Sequence, residues 1–289
     1  MFYLILKKNS RRKRRCELLC RLQQKKVFIC DFVDFGNFSR KVLYKDLNFL
    51  VKMKIELIKK PKNVTIIEGF PGYGLVSTIT TEFLLDHIDD IEKIGRIWLP
   101  EAPAMIAVHK GKVVEPFGIF YSKKYNLVII HVVTTVFGFE WEMAEAVMEL
   151  AKQLNAKEII SVEGISSADI GEKPRAFYFS TNAVRLKKLS KIADAPLQEG
   201  IIVGVTGIMM LMGDRKIPVT AIFAEAHSEL PDSKAAARII EVLNEYVGLD
   251  IDPKPLLKQA EMFEKKLQQL LAQTKKMMEE QKKKLSYVG

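Results

Sequence analysis

The 289 residues are 48% hydrophobic and 28% charged, with a formal net charge of +10, a balance typical of a globular chain of one or two domains. The apolar runs, such as Leu127–Ile130 and Ile201–Val203, are far shorter than the ~20 residues a membrane-spanning helix needs, so no membrane partner is expected. The excess charge is local: residues 1–52 hold 14 of the 45 basic and 4 of the 35 acidic residues, leaving 31 of each in 53–289.

That first segment reads as a basic extension ending at Met53, which opens Met53-Lys54-Ile55-Glu56-Leu57 as a plausible native start. Its Arg11-Arg12-Lys13-Arg14-Arg15 cluster is the whole support for phosphate or nucleic-acid contacts, and a neutral body makes a nucleic-acid partner unexpected. The apolar run at Phe2–Leu6 precedes that cluster and is too short for the core of a secretory signal. Cys16, Cys20 and Cys30 also fall here, with no fourth cysteine and no histidine before His87, so tetrahedral zinc lacks a ligand. The cysteine-free body has no thiol chemistry, and a cytoplasmic location is expected.

From residue 53 onwards, strands and helices alternate. Asn63–Glu68 is a short β-branched run that ends at Gly69 and reads as a buried strand. Leu75, Val76, Ile79, Phe83 and Leu84 then recur at helical spacing, with Asp86–Asp90 as the polar exit. Strands follow at Ile94–Leu99, in a hairpin of Met105–Val108 with Lys112–Val114 around Lys110-Gly111, at Phe117–Tyr121 and at Leu127–Val133. Glu140–Leu154 is an amphipathic helix, Ile159–Val162 a strand, Ala176–Phe179 a strand, and Asn182–Ile192 a helix. Ile201–Val205 and Val219–Ala224 read as apolar strands, and Asp232 caps a helix over Ser233–Tyr246. This alternation predicts an α/β core at 53–252, a three-layer α/β/α sandwich with a mixed sheet.

The sharpest local motif is Glu68-Gly69-Phe70-Pro71-Gly72-Tyr73-Gly74, a glycine-rich link from strand to helix. Such links cradle phosphate when backbone N–H groups face an anion at a helix start. Here Ser77 stands where the dinucleotide fingerprint needs Gly or Ala, Pro71 removes a donor, and no Walker lysine follows. Gly69, Pro71, Gly72 and Gly74 therefore read as a tight structural turn, and no cofactor is expected.

His87, His109, His131 and His227 show no paired helical spacing, so a metal is not expected, and no Gly-x-Ser-x-Gly elbow supplies a nucleophile. Glu140, Glu142 and Glu145 sit where acids favour a helix N-terminus. Ile208-Met209-Met210-Leu211-Met212-Gly213 reads either as core or as an adaptable Met-rich loop.

Residues 253–289 form the expected arm. Between Pro253 and Lys284 there is no glycine, and Leu256, Ala260, Phe263, Leu267, Leu270, Thr274, Met277 and Gln281 recur at intervals of four and three. That is a heptad seam, the signature of a coiled-coil helix of about 30 residues and roughly 45 Å. Such a helix is stable mainly when its stripe packs on a partner.

Taken with Phe137-Gly138-Phe139-Glu140-Trp141, Glu163-Gly164-Ile165, His227-Ser228-Glu229-Leu230-Pro231-Asp232 and Gly248-Leu249-Asp250-Ile251-Asp252, the glycine turn makes residues from about 53 to 260 resemble the proteasome assembly chaperone 2 family in its archaeal branch. The resemblance implies a fold similar to purine nucleoside phosphorylases without their catalysis. It also implies self-association as a homo-oligomer, and binding to 20S proteasome α-subunits. Some relatives end in a hydrophobic-Tyr-any motif that inserts between α-subunits; this chain ends Leu285-Ser286-Tyr287-Val288-Gly289, with the tyrosine third from last. By resemblance, Leu285, Tyr287 and Val288 are the partner-binding residues. The competing reading is a nucleoside phosphorylase-like enzyme, or a nucleotide-binding protein, using the glycine turn.

Overall fold

The computed structural model describes residues 53–260, except 101, 103–104, 110, 168–170, 172, 214–216 and 228–229. The basic extension, the three cysteines and the arm beyond residue 260 lie outside the described residues. In chain order the strands are β1 (Lys54–Leu57), β2 (Thr65–Gly69), β3 (Ile91–Trp98), β4 (Ala107–His109), β5 (Lys112–Val114), β6 (Phe117–Ser122), β7 (Leu127–Val132), β8 (Glu158–Ser166), β9 (Ala176–Ser180), β10 (Ala195–Pro196) and β11 (Val219–Ala226). The helices are α1 (Val76–His87), α2 (Glu140–Gln153), α3 (Ala183–Leu189), α4 (Gly204–Met212) and α5 (Ser233–Val247).

Nine strands form one sheet in the order β1-β3-β6-β7-β2-β8-β11-β9-β10, and β4 pairs with β5 as a separate hairpin. The centre is parallel, with Thr65 in register with both Leu127 and Glu158, and Ile159 with Val219. The flanks are antiparallel, β6 on β7, β3 on β6, β1 on β3 and β9 on β11. The central strands β7 (Leu-Val-Ile-Ile-His-Val) and β11 (Val-Thr-Ala-Ile-Phe-Ala-Glu-Ala) are buried at every position. Near-continuous apolar runs are what a parallel strand needs when helices cover both faces.

The side-chain period of two divides those runs between two cores. Ile66, Val128, Ile130 and Ile159 pack with Met143, Val147 and Leu150 of α2 and Met209 of α4. Ile67, Ile129, Ile160 and Val162 pack with Leu84 of α1 and Ile240 and Leu243 of α5. Each buried aliphatic side chain contributes about 1.5–3 kcal/mol to this arrangement, and the result is the expected α/β/α sandwich. At its amino-terminal edge Glu158 accepts hydrogen bonds from Thr220 (2.5 Å) and Tyr246 (2.6 Å) and pairs with Arg185 at 3.2 Å, joining β8 and β11 to α3 and α5.

Asp232 caps α5 as expected, accepting from the Ala235 N–H at 2.9 Å. Residues 254–260 are helical, and the first two seam residues, Leu256 and Ala260, are buried. Leu256 joins the core beside α1 and α5.

One expectation is corrected. Ile201–Val205 is not a strand: residues 201–203 carry no regular structure, and Gly204, with φ +73°, starts α4. Of the two readings of the Met-rich stretch, core holds for Ile208 and Met209, which are buried in that helix, while Leu211 lies outside. Strand β1, four residues at the sheet edge, was not read from the sequence; its alternation is too short to stand out.

Candidate functional site

The glycine-rich link lies between β2 and α1 at the carboxyl end of the parallel strands. Gly69 packs against the start of α1, where a Cβ would stand 2.7 Å from the Ser77 carbonyl oxygen, and the Ser77 hydroxyl donates to the Phe70 carbonyl. Gly74 has φ +64°, and a Cβ there would meet Ala226 at 2.9 Å. Its carbonyl accepts from the Asp232 N–H at 2.9 Å. Gly72 differs from the sequence expectation. Its φ of −145° is ordinary extended backbone, and the nearest atom to a Cβ, the Phe70 oxygen, is 3.8 Å away. Pro71 precedes a single 3-10 turn at Tyr73–Leu75. The Tyr73 carbonyl lies on Gly164 of β8, and Gly74 lies on β11 and the start of α5.

Beneath this turn is a carboxyl pair that motif reading missed. Glu68 is 0% exposed, and neither of its oxygens completes a hydrogen bond. Burial pushes its pKa from 4.5 up to about 8; nearby Glu163 adds to the rise, while the Ser161 and Thr206 hydroxyls and the Phe70 N–H oppose it. Burial likewise pushes Glu163 up to about 7, against the hydrogen bond from Thr206 in the first turn of α4. Ser161 and Thr206 are 2.6 Å apart. Thr206, bonded to Glu163 and to Ser161, ties α4 to β8. The only sequence signal for it was acids at the ends of otherwise apolar strands.

Outside α4 lies an exposed apolar surface. Phe137 is 85% exposed, Trp141 59%, Ile201 91%, Val203 73% and Leu211 79%. Trp141 and Leu211, with Ile202, line a groove of about 470 Å³ between α2 and the segment that leads into α4. Close backbone approach explains the display. A Cβ on Gly207 would stand 2.5 Å from the Ile202 carbonyl oxygen, so segment 201–203 lies flat on α4 with Ile201 and Val203 outward. The β-branched run that reads as a buried strand is thus a surface feature. Patches of this kind, with a central tryptophan, mark protein contacts more often than catalytic pockets.

The groove has one acidic lining residue. Glu140 lines it, accepting from the Gly138 N–H at 3.0 Å, and Glu142 and Glu145 are exposed along α2 beside Trp141. A second apolar surface lies at the β4–β5 hairpin, where Ile106, Val108 and Val113 are exposed. There the Arg96 guanidinium stands 5.0 Å over the Trp98 ring.

The described histidines do not converge. His131 is buried, 2.9 Å from the Thr81 hydroxyl, His227 is 2.8 Å from Asp232, and His87 approaches the Phe83 carbonyl at 2.9 Å. Burial works against charge on Asp232, but the Ala235 and His227 N–H groups and the His227 ring outweigh it and hold its pKa below the usual range. Among the described residues no group of three His, Cys, Asp or Glu is placed to hold a metal. No described helix is long and apolar enough to cross a membrane. Leu285, Tyr287 and Val288 lie outside the described residues.

The sequence model of the PAC2 family matches residues 66–271. The chain belongs to the PAC2 family. That match takes in the glycine turn, both carboxyls of the buried pair and the whole α2–α4 surface, and stops short of Tyr287. The structure resembles Pyrococcus furiosus PbaA, described as an archaeal homolog of proteasome-assembly chaperone, with a TM-score of 0.71 and 25% identity over 81% of this chain and 97% of that one. It shares the fold of Pyrococcus furiosus PbaB, described as an archaeal proteasome activator, with a TM-score of 0.65 and 23% identity over 76% and 98% of the two chains. A Methanocaldococcus jannaschii protein is 24% identical over 238 residues, 82% of this chain and 96% of its own length. These relatives are matched over nearly their whole length.

Proposed function

We propose that this PAC2 family protein is a proteasome assembly or proteasome-binding factor that works by protein–protein contact with 20S α-subunits, in the cytoplasm and without catalysis. The observation that carries this reading is the α2–α4 surface, where five large apolar side chains stand exposed and two of them, Trp141 and Leu211, line an open groove. The described roles of PbaA and PbaB supply the proteasome as the class of partner. In this reading the α/β core self-associates, and the arm carries Leu285, Tyr287 and Val288 to the α-subunits. An aromatic ring with a hydroxyl suits that task, filling an apolar pocket while bonding at its rim. The nucleotide or phosphorylase alternative rests on the glycine turn, where Tyr73 packs against Gly164 and Gly74 against Ala226, and stoichiometric nucleotide binding by the purified chain would favour it.

The test is binding of the full chain to purified 20S α-subunits by native mass spectrometry, with Tyr287→Ala and a deletion of Leu285–Gly289 alongside. Binding by the intact chain, weakened at least tenfold by either change, is the expected result. If the intact chain ignores α-subunits, the function is wrong; if both variants bind like the intact chain, recognition lies on the core and the tail role falls.

A further inference from the structure

We propose that Glu68 and Glu163 work as a proton-operated latch on α4: a proton held between them fastens the first turn of the helix to the sheet, and its loss releases that turn and one wall of the α2–α4 groove. The latch acts on the groove itself, whatever partner the groove takes.

Four polar side chains meet in an otherwise apolar layer: Glu68 of β2, Ser161 and Glu163 of β8, and Thr206 of α4. The Ser161 and Thr206 hydroxyls are 2.6 Å apart, and Thr206 donates to Glu163. Thr206 has one proton, so its donation to Glu163 obliges Ser161 to donate to Thr206. Both hydroxyl protons are then used, and the two oxygens of fully buried Glu68 are left without a bond. One further proton completes the row. It sits on Glu68, or it sits on Glu163 while Thr206 turns to Ser161 and Ser161 turns to Glu68. With no carboxyl proton, lone pairs face each other and two negative charges share a site out of water.

Among the described residues no cation pairs with either carboxyl. Helix α4 has no ionisable side chain, α2 has acids alone ahead of Lys152, and Tyr73 is the ionisable residue of the link. At the paired positions β7 presents Ile130 to Glu68, and β11 presents Phe223 to Glu163. Further along those strands, Glu225 is paired with Arg175 at 2.6 Å and His131 is bonded to Thr81 of α1. Glu163 is partly exposed and gives the pair its route to solvent protons. Burial sets the titrations of Glu163 and Glu68 near 7 and 8, so the last proton leaves as pH rises past about 8.

The element that yields is α4. Strands β2 and β8 are each hydrogen-bonded along both edges, which fixes Glu68, Ser161 and Glu163. Helix α4 is nine residues long, follows a stretch without regular structure and starts without a side-chain cap; Thr206 is the one polar side chain in Gly204–Met212. The same helix gives Gly204, Gly207, Ile208, Met210 and Leu211 to the groove, so a shift of its first turn reshapes that groove.

Amide hydrogen exchange of the full chain, corrected for the intrinsic pH dependence of exchange, tests the latch. The informative amides are residues 208–210, whose N–H groups bond carbonyls of the first turn. Their protection should fall at least tenfold from pH 6 to pH 9 and end at least a hundredfold below that of α5. Glu68→Gln and Glu163→Gln each give the row a permanent N–H donor, so both keep the pH 6 protection at pH 9. Thr206→Val cuts the tie and leaves these amides poorly protected at both pH values. Trp141 emission, read in a Trp98→Phe background, should shift with pH in the parent and hold constant in the glutamine variants. The latch is overturned if residues 208–210 stay protected at pH 9, or if the glutamine variants lose protection as the parent does. Equal protection of α4 and α5 at pH 9 also overturns it, since the opening is then global, as does a Thr206→Val variant protected like the parent at pH 6.

Discussion

The carbonyl oxygen of Tyr73 lies on the Cα of Gly164, in the place a Cβ would take. The link after β2 therefore touches β8 backbone to backbone, and glycine is the residue that permits it. Gly164→Ala is expected to cost about 1–3 kcal/mol or more through overpacking, and Gly74→Ala about 1 kcal/mol or more from its positive φ and contact with Ala226. Gly72→Ala, in open extended backbone, changes stability by under about 0.5 kcal/mol. Urea unfolding of the three variants checks the ranking, and an equal loss at Gly72 would contradict it.

The carboxyl pair makes stability depend on pH with a definite sign. Glu68 and Glu163 titrate near 8 and 7 in the folded chain, against 4.5 when unperturbed. Between about 4.5 and 8 the folded state holds protons that the unfolded chain has released, so stability falls as pH rises through this window and levels off above it. Thermal unfolding should show a lower Tm at pH 8.5 than at pH 5.5. Glu68→Gln, neutral at every pH, flattens the profile and exceeds the parent at pH 8.5. Parallel profiles for the two proteins would mean that the pair is ionised in the fold.

Tyr246→Phe removes the phenol that donates to buried Glu158. Burial raises the Glu158 pKa, opposed by Thr220, Tyr246 and Arg185, so the carboxylate needs each of its donors. The expected loss is about 1–3 kcal/mol. A double-mutant cycle with Glu158→Gln should give a coupling above ~0.5 kcal/mol, and a cycle that sums to zero would show that the bond is energetically silent.

Trp141→Ser and Leu211→Ser alter exposed side chains, so unfolding free energies should stay within about 0.5 kcal/mol of the parent. Binding of a hydrophobic dye should drop. Val147→Ala, nearly two turns along α2 from Trp141 and fully buried, should do the reverse, losing stability by about 1–3 kcal/mol while the dye still finds the surface. Dye binding unchanged in both serine variants would remove the patch from any binding role.

Most elements of the core were legible because their signals are local. The β-branched runs at β2, β7 and β11, the 3.6-residue spacing in α1, α2 and α5, the Asp232 cap and the Lys110-Gly111 hairpin each follow from the preferences of neighbouring residues. The family resemblance was legible from the order of short motifs around those elements. Strand order was not, because pairing between residues tens of positions apart leaves no local mark. The fate of Ile201, Ile202 and Val203 was not either: their side chains ask for burial in a strand, but the contact of Gly207 with the Ile202 carbonyl and the helical start at Gly204 hold two of them in solvent. Glu68 likewise looks like an ordinary strand-end acid until the sheet, Glu163 and the first turn of α4 close around it. Sequence alone determined most strands, helices and turns of an α/β sandwich, because backbone preference and side-chain period act over a few residues. Tertiary structure alone decided which apolar residues remain outside and which carboxyls lose their water, because exposure depends on what the rest of the chain packs against them.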